Sequence, residues 1–273
     1  MGFFKATSIF LTCCLSVILW SLGAAQADSE KWLESKGQHF IIYFYPQTDT
    51  SRIDFILSQA DNYYQQIAIQ IGYSRYQNFW SWDNRVKIYI YPDSTTFVKK
   101  TGQPEWSKGG AVAYHPNLKS KVIISYDQQD DFIYNVLPHE IGHLTLKDFV
   151  REEPLPLWVE EGVAQFLERD KVKYVHAYMK KRIQENDFVA FKRLNRYDIR
   201  QEMDPEKVQL YYAQSLSLID FLIKNYGSLR FGRMCRRVRD GTAFDQAFLQ
   251  VYKPEITSFS ALEKKWLRYV NGQ

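Results

Sequence analysis

The chain has 273 residues, 45% of them hydrophobic and 16% aromatic, which is enough for one large domain or two lobes with a substantial core. Its formal net charge of +4, from 35 Lys and Arg against 31 Asp and Glu, is too small to indicate a nucleic-acid-binding protein. Cys13 and Cys14 fall in the N-terminal apolar segment, which leaves Cys235 alone. A single cysteine excludes an intramolecular disulfide and a cysteine-based zinc site.

Residues 1–27 have the three parts of a signal peptide. Lys5 supplies the positive charge, residues 6–24 are mostly apolar, and Ala25-Gln26-Ala27 is a small-residue cleavage site. We expect cleavage after Ala27 and export to the periplasm or the extracellular space. The alternative is an uncleaved N-terminal anchor, because the apolar run is long for a signal. No later stretch is apolar enough to span a membrane.

Residues 28–126 are predicted to form an N-terminal α/β lobe. From residue 38 onward the hydrophobic pattern reads β-α-β-α-β-β, which indicates a small sheet with helices. The predicted strands are 39–45, 86–91, 109–114 and 121–125, and the predicted helices are 52–71 and 94–100.

The strand 109–114 begins with two glycines, which permit close approach of another backbone. It is predicted either as an edge strand to which an extended peptide could add, or as an ordinary hairpin strand.

Residues 127–273 are predicted to be helical, with an especially strong pattern over 208–226 that ends at Gly227. The predicted fold class is therefore α+β. A small mixed-sheet lobe leads into a mostly helical lobe.

The first helix of this second lobe carries His139-Glu140-Ile141-Gly142-His143, a match to H-E-x-x-H. Positions i and i+4 lie on one face of a helix, so His139 and His143 could hold one Zn²⁺ from the same side. Glu140 would flank the metal and could act as general base toward a bound water. The alternative is a chance match on an ordinary helix.

A catalytic zinc site needs a third protein ligand. Residues 154–166 form a proline-punctuated, mostly apolar segment that contains Glu160 and Glu161. A carboxylate in such surroundings needs a partner, and a metal is one. Both could instead be solvated charges on a helix surface.

The two segments together resemble the peptidase MA-like, or gluzincin, metallopeptidases, which are related to thermolysin and to aminopeptidase N type enzymes. The resemblance lies in H-E-x-x-H followed by W-x-x-E-G-x-A, and it implies a sheet lobe, a helical lobe and Glu161 as the third zinc ligand. Seventeen residues separate Glu161 from His143, one fewer than is usual in the aminopeptidases, so Glu160 stays open as the alternative ligand.

The later run from Tyr212 to Gly227 is similar to the family's Y-x-Q-S helix ending in Y-G. The resemblance implies that Tyr212 donates a hydrogen bond to the developing oxyanion, with Tyr211 as the alternative. Core packing of both tyrosines is an equal alternative.

The sequence thus predicts an exported zinc-dependent metallopeptidase that binds one Zn²⁺ and acts on peptides or proteins. The predicted metal ligands are His139, His143 and Glu161, and the predicted catalytic residues are Glu140 and Tyr212. One alternative is a non-enzymatic protein-binding module with a structural zinc. Another is an anchored scaffold with a chance motif.

Overall fold

A computed structural model of the protein describes residues 32–73, 80–105, 107–115, 120–127, 130–151 and 153–272. The predicted signal peptide, residues 1–27, and its cleavage site lie outside the described residues. The domain limits at residues 126 and 127 stay predictions.

The first part of the chain forms one five-stranded sheet with the order β1-β2-β3-β5-β4. The central strands β2, β3 and β5 are parallel to each other, and the two edge strands β1 and β4 are antiparallel to their neighbours. The sheet is therefore mixed, as predicted, and β4 is an edge strand. The strands are β1 Leu33–Lys36, β2 Phe40–Phe44, β3 Val86–Tyr91, β4 Gly109–His115 and β5 Ser120–Tyr126.

Two helices pack on opposite faces of this sheet. Helix α1, Thr50–Gln70, is capped by Asp49 and packs its apolar side against β2. The shorter α2, Ser94–Thr101, places Phe97 against Tyr91 and Tyr126 on the other face. Strand and helix positions in this lobe follow the predicted pattern, except that β1 was not predicted.

The rest of the described chain is helical, which completes the predicted α+β fold. Helix α7 is central, because most of its residues are buried and it packs against both α4 and α5. No helix among the described residues is both long and apolar enough to cross a bilayer. The helices are α3 Leu137–Val150, α4 Leu157–Ala164, α5 Lys171–Gln184, α6 Phe191–Leu194, α7 Pro205–Tyr226, α8 Ser228–Arg239, α9 Phe244–Tyr252 and α10 Phe259–Asn271.

Candidate metal centre

Helix α3 carries the H-E-x-x-H motif from its first turn. A π-helical turn, Phe132–Val136, leads directly into it, and Pro138 lies where the π-helical turn gives way to α3. His139 and His143 are both buried, and their Nε2 atoms lie 3.0 Å apart. The helical period thus brings the two imidazoles together, as the spacing predicted.

Helix α4 brings Glu161 to the same point. Its Oε2 lies 3.7 Å from the Nε2 atoms of both His139 and His143, and only 3% of the residue is exposed. Within the described part of the chain, these three residues are the group whose ligand atoms could share a metal ion, and the atoms lie within 4.8 Å of one another. Glu160 is half-buried and is not part of this group.

Two glycines allow α4 to approach its neighbours closely enough for this arrangement. A β-carbon at Gly142, inside the histidine motif, would lie 2.7 Å from Cα of Ala164 on α4. A β-carbon at Gly162, next to Glu161, would lie 2.5 Å from the backbone oxygen of Ser215 on α7. Side chains at either position would push the helices apart, because atoms do not approach to such distances.

Glu168 is a candidate site residue that the sequence analysis did not identify. Its Oε1 accepts a hydrogen bond from Nδ1 of His139 at 2.8 Å, and its Oε2 lies 2.5 Å from Nζ of Lys171. A proton on Nδ1 leaves the Nε2 lone pair of His139 available to a metal, and such carboxylate partners fix a ligating histidine in place. The sequence offers only a weak signal, a glutamate after the mostly apolar residues 163–167, and the charged residues that follow it are equally typical of a surface turn.

The electrostatics of the cluster are those of a site with excess buried negative charge. Burial raises the pKa of Glu161 to about 8; the charge of His139 opposes this rise, whereas the carboxylates of Glu160, Glu140 and Glu168 add to it. Buried charge of one sign is costly unless a counter-charge offsets it.

The surroundings shift the pKa values of the two histidines in opposite directions. Burial lowers the pKa of His139, but the hydrogen bond and charge of Glu168, with the charges of Glu140 and Glu161, outweigh burial and leave that pKa raised. Burial, with the charges of His139 and Lys147, lowers the pKa of His143 well below its ordinary value. The neutral form of an imidazole is the one that binds a metal, and a lowered pKa favours that form.

The donor set fits a zinc ion. Glu161 Oε2 is buried and has no hydrogen-bond partner among the described residues, although it faces two imidazole nitrogens. Two histidines and one glutamate are a ligand set of catalytic zinc sites, and a cation between them would satisfy all three groups.

The two residues predicted to act in catalysis lie near this cluster. Glu140 is fully buried, and its charge acts on both His139 and Glu161. Tyr212 is also buried, and its backbone oxygen accepts a hydrogen bond from the Gln165 amide that also donates to the Glu161 carbonyl. That amide therefore joins the end of α4 to α7.

Tyr211 has two features of a site residue that the sequence did not indicate. Its hydroxyl is buried and lacks a hydrogen-bond partner among the described residues. Burial, followed by the charges of Glu161 and Glu160, raises the pKa of that hydroxyl. The rings of Tyr211 and Tyr212 are nearly perpendicular, at 85°. The choice between them stays a prediction.

A mixed sheet followed by helices, with two histidines and a glutamate supplied by consecutive helices, defines a gluzincin-type metallopeptidase fold. A family model described as the Peptidase MA superfamily matches residues 80–272, and the chain belongs to that superfamily. The resemblance seen in the sequence is thereby confirmed.

Solved structures of yeast LTA4 hydrolase are also similar to the chain. The complex with bestatin has 13% sequence identity and a TM-score of 0.47, with 86% of this chain and 39% of that chain covered. The native enzyme from Saccharomyces cerevisiae has 14% identity and a TM-score of 0.44, with 86% and 38% covered. The chain thus spans less than two fifths of the length of these structures. No curated protein sequence matches it.

Proposed function

We propose that the protein is an exported zinc-dependent metallopeptidase in which His139, His143 and Glu161 hold one Zn²⁺. The observation that carries this proposal is the convergence of three buried ligand atoms within 4.8 Å, one of them a carboxylate oxygen without a hydrogen-bond partner among the described residues. Membership of the Peptidase MA superfamily supports peptides or proteins as the substrate class. Export rests on the signal-peptide pattern of residues 1–27.

Zinc, when bound, supplies a Lewis acid and lowers the pKa of a water molecule that it binds to about 7. Glu140 follows His139 on the same turn, so its carboxylate can accept a proton beside the ligands without being one of them. The same carboxyl group can then return the proton to the leaving amine. Glu168 holds His139 in the required tautomer and orientation.

A tyrosine hydroxyl from α7 completes the proposed machinery. Tyr212 is the residue that the family resemblance implies, and Tyr211 is the alternative. A hydroxyl that donates a hydrogen bond to the oxyanion only as charge develops would lower the barrier without tightening substrate binding.

The edge strand β4 is the proposed binding place for the substrate backbone. It is the outermost strand at one side of the described sheet, and α3 packs against it. An extended peptide can add to such an edge by main-chain hydrogen bonds.

The test separates metal binding from turnover. We expect the purified chain to hold about one zinc per molecule, and Glu140→Gln to keep that zinc but to lose nearly all hydrolysis of a denatured protein substrate. Glu160→Gln is the matched control, since it makes the same chemical change outside the metal group, and it should retain most activity. Zinc binding with no hydrolysis in the wild-type chain would favour a binding module. A chain that binds no zinc after reconstitution would refute the site itself.

A further inference from the structure

Glu168, the residue that bonds to His139, also lines a cavity. Its volume is about 750 Å³, within the range of about 300–1,000 Å³ that is typical of small-molecule sites. It is bounded by the segment 166–170, one face of α5 and the end of α7. The candidate metal ligands His139, His143 and Glu161 do not line it.

The face of α5 that borders the cavity is basic at both ends. Lys173, His176, Ala177 and Lys180 recur at helical spacing and all line it. Their order places two ammonium groups about two turns apart, with a small residue between them that leaves room for a ligand.

Further basic groups come from outside α5. Arg169 and Lys224 also line the cavity, so four cationic side chains face only two lining carboxylates, Glu168 and Asp170. Glu168 pairs with Lys171 at 2.5 Å, and Arg169 lies 3.8 Å from Asp130, a carboxylate outside the lining whose side chain is 75% exposed. Among the lining side chains the cationic groups still outnumber the carboxylates, which favours an anion.

The buried carboxylate of Asp220 holds two side chains that line the cavity, His176 and Lys224. Oδ2 of the fully buried Asp220 lies 2.6 Å from Nε2 of His176 and 3.1 Å from Nζ of Lys224, and it accepts a hydrogen bond from the Tyr269 hydroxyl at 3.0 Å. This network offsets one cationic charge of the cavity. It also holds the imidazole and the lysine in place, which reduces the side-chain entropy that is lost when a ligand binds.

The remaining wall is apolar. Phe166, Leu167 and Val172 line it together with Ala177. Basic groups beside an apolar wall suit a ligand that carries an anionic head on a hydrophobic body.

We propose that this cavity binds a small organic anion, namely a carboxylate attached to an apolar group, at a site separate from the metal centre. The cavity and the metal centre share Glu168, whose carboxylate lines the cavity and bonds to Nδ1 of His139, but none of the three candidate metal ligands lines the cavity. The comparison of binding with and without zinc therefore separates the two places. A free medium-chain fatty acid and the C-terminal residue of a peptide both have this chemistry.

The test is calorimetric titration of the full chain with octanoate and with N-acetyl-leucine, with and without zinc. N-acetyl-leucinamide serves as the neutral match. We expect saturable binding of at least one carboxylate, at least tenfold weaker binding of the amide, and weaker binding at high salt. Binding of octanoate alone would indicate a fatty acid, and binding of N-acetyl-leucine alone would indicate a peptide C-terminus.

Charge variants test the location. Lys173→Gln and Lys180→Gln should each weaken binding about two- to fivefold, and together about tenfold. Lys181→Gln is the matched control, because Lys181 lies on the same helix, is 75% exposed at its side chain and does not line the cavity. Ala177→Trp, at an exposed position, should abolish binding by filling the space without disturbing the core.

Several results would overturn the proposal. These are no saturable binding of either carboxylate, unchanged binding in the double lysine variant or in Ala177→Trp, and binding of the amide as tight as that of the acid. Binding that disappears when zinc is removed would place the carboxylate at the metal instead. Because the cavity is titrated in the zinc-free chain as well, an inactive peptidase would not affect the outcome.

Discussion

Replacing Glu168 with glutamine would test whether this carboxylate controls the metal centre through His139. The substitution changes the shape of the side chain little, and the new amide oxygen can still accept a hydrogen bond from Nδ1. What is lost is the negative charge beside His139, at 2.8 Å, and beside Lys171, at 2.5 Å. Only 1% of the Glu168 side chain is exposed, so solvent does little to screen that charge.

Two magnitudes follow from these contacts. Hydrogen bonds to charged groups are roughly twice as strong as neutral ones, and loss of such a partner to a metal-bound histidine typically weakens metal binding about 10- to 100-fold. That range corresponds to about 1.4–2.8 kcal/mol of zinc binding free energy. The metal-free chain should also lose about 1–3 kcal/mol of stability, since the mostly buried Lys171 loses a charged partner.

The assay is competition for zinc against a chelator near neutral pH, with urea unfolding of the metal-free chain measured in parallel. Glu160→Gln is the control, because it removes an equal charge from a neighbouring carboxylate that is not part of the metal group. A folded Glu168→Gln chain whose zinc affinity lies within twofold of wild type would refute the role given to Glu168. Equal weakening of zinc binding in Glu160→Gln would mean that zinc affinity depends only on the total negative charge near the site.

Three further results are expected. Tyr212→Phe should lower kcat about 10²-fold with little change in KM, whereas Tyr211→Phe should not; the reverse result in steady-state peptidase kinetics would assign the role to Tyr211. Gly162→Ala should cost about 1–3 kcal/mol in urea unfolding, because the added β-carbon would lie 2.5 Å from a backbone oxygen of α7, and full stability would show that the helices have room to move. Burial raises the pKa of Asp220, but hydrogen bonds from His176 and a lysine outweigh it and leave that pKa lowered. Asp220→Asn should therefore destabilise the chain above about pH 4, and the difference from wild type should shrink as pH falls from about 4 through the lowered pKa, a trend that unfolding at several pH values would measure.

Much of the sheet lobe could be predicted because its signals are local. Strand β3, Val86–Tyr91, alternates buried and half-buried residues, and the inward set packs on the core. Strand β1, Leu33–Lys36, was missed because its sequence LESK has no such alternation and stays largely exposed. It is a strand only because it pairs with β2, and this pairing cannot be predicted from the residues of β1 alone.

The candidate site could likewise be predicted only in part. The spacing of His139 and His143 predicts their proximity, since a helix repeats every 3.6 residues. The choice between Glu160 and Glu161 could not be made, because adjacent residues on a helix differ by about 100° and the choice depends on how α4 is rotated about its axis. That rotation is set by packing against α3 and α7, which only the structure describes.

The glycines of the two motifs carry information that the ligand pattern alone does not. A histidine pair at helical spacing can occur on any helix by chance, and so can a glutamate in an apolar run. Neither pattern indicates that α3, which carries the histidines, contacts α4, which carries the glutamate. Gly142 does bear on that point, because a β-carbon there would lie 2.7 Å from Cα of Ala164 on α4. Gly162 acts on the other side of α4, where a β-carbon would lie 2.5 Å from the backbone oxygen of Ser215 on α7. Gly142 thus lets α3 and α4 meet, and Gly162 lets α4 pack on α7 in the position in which Glu161 faces both imidazoles. A sequence with the same histidines and glutamate but a bulky residue at either glycine would keep the ligand types and lose the geometry that brings them to one metal.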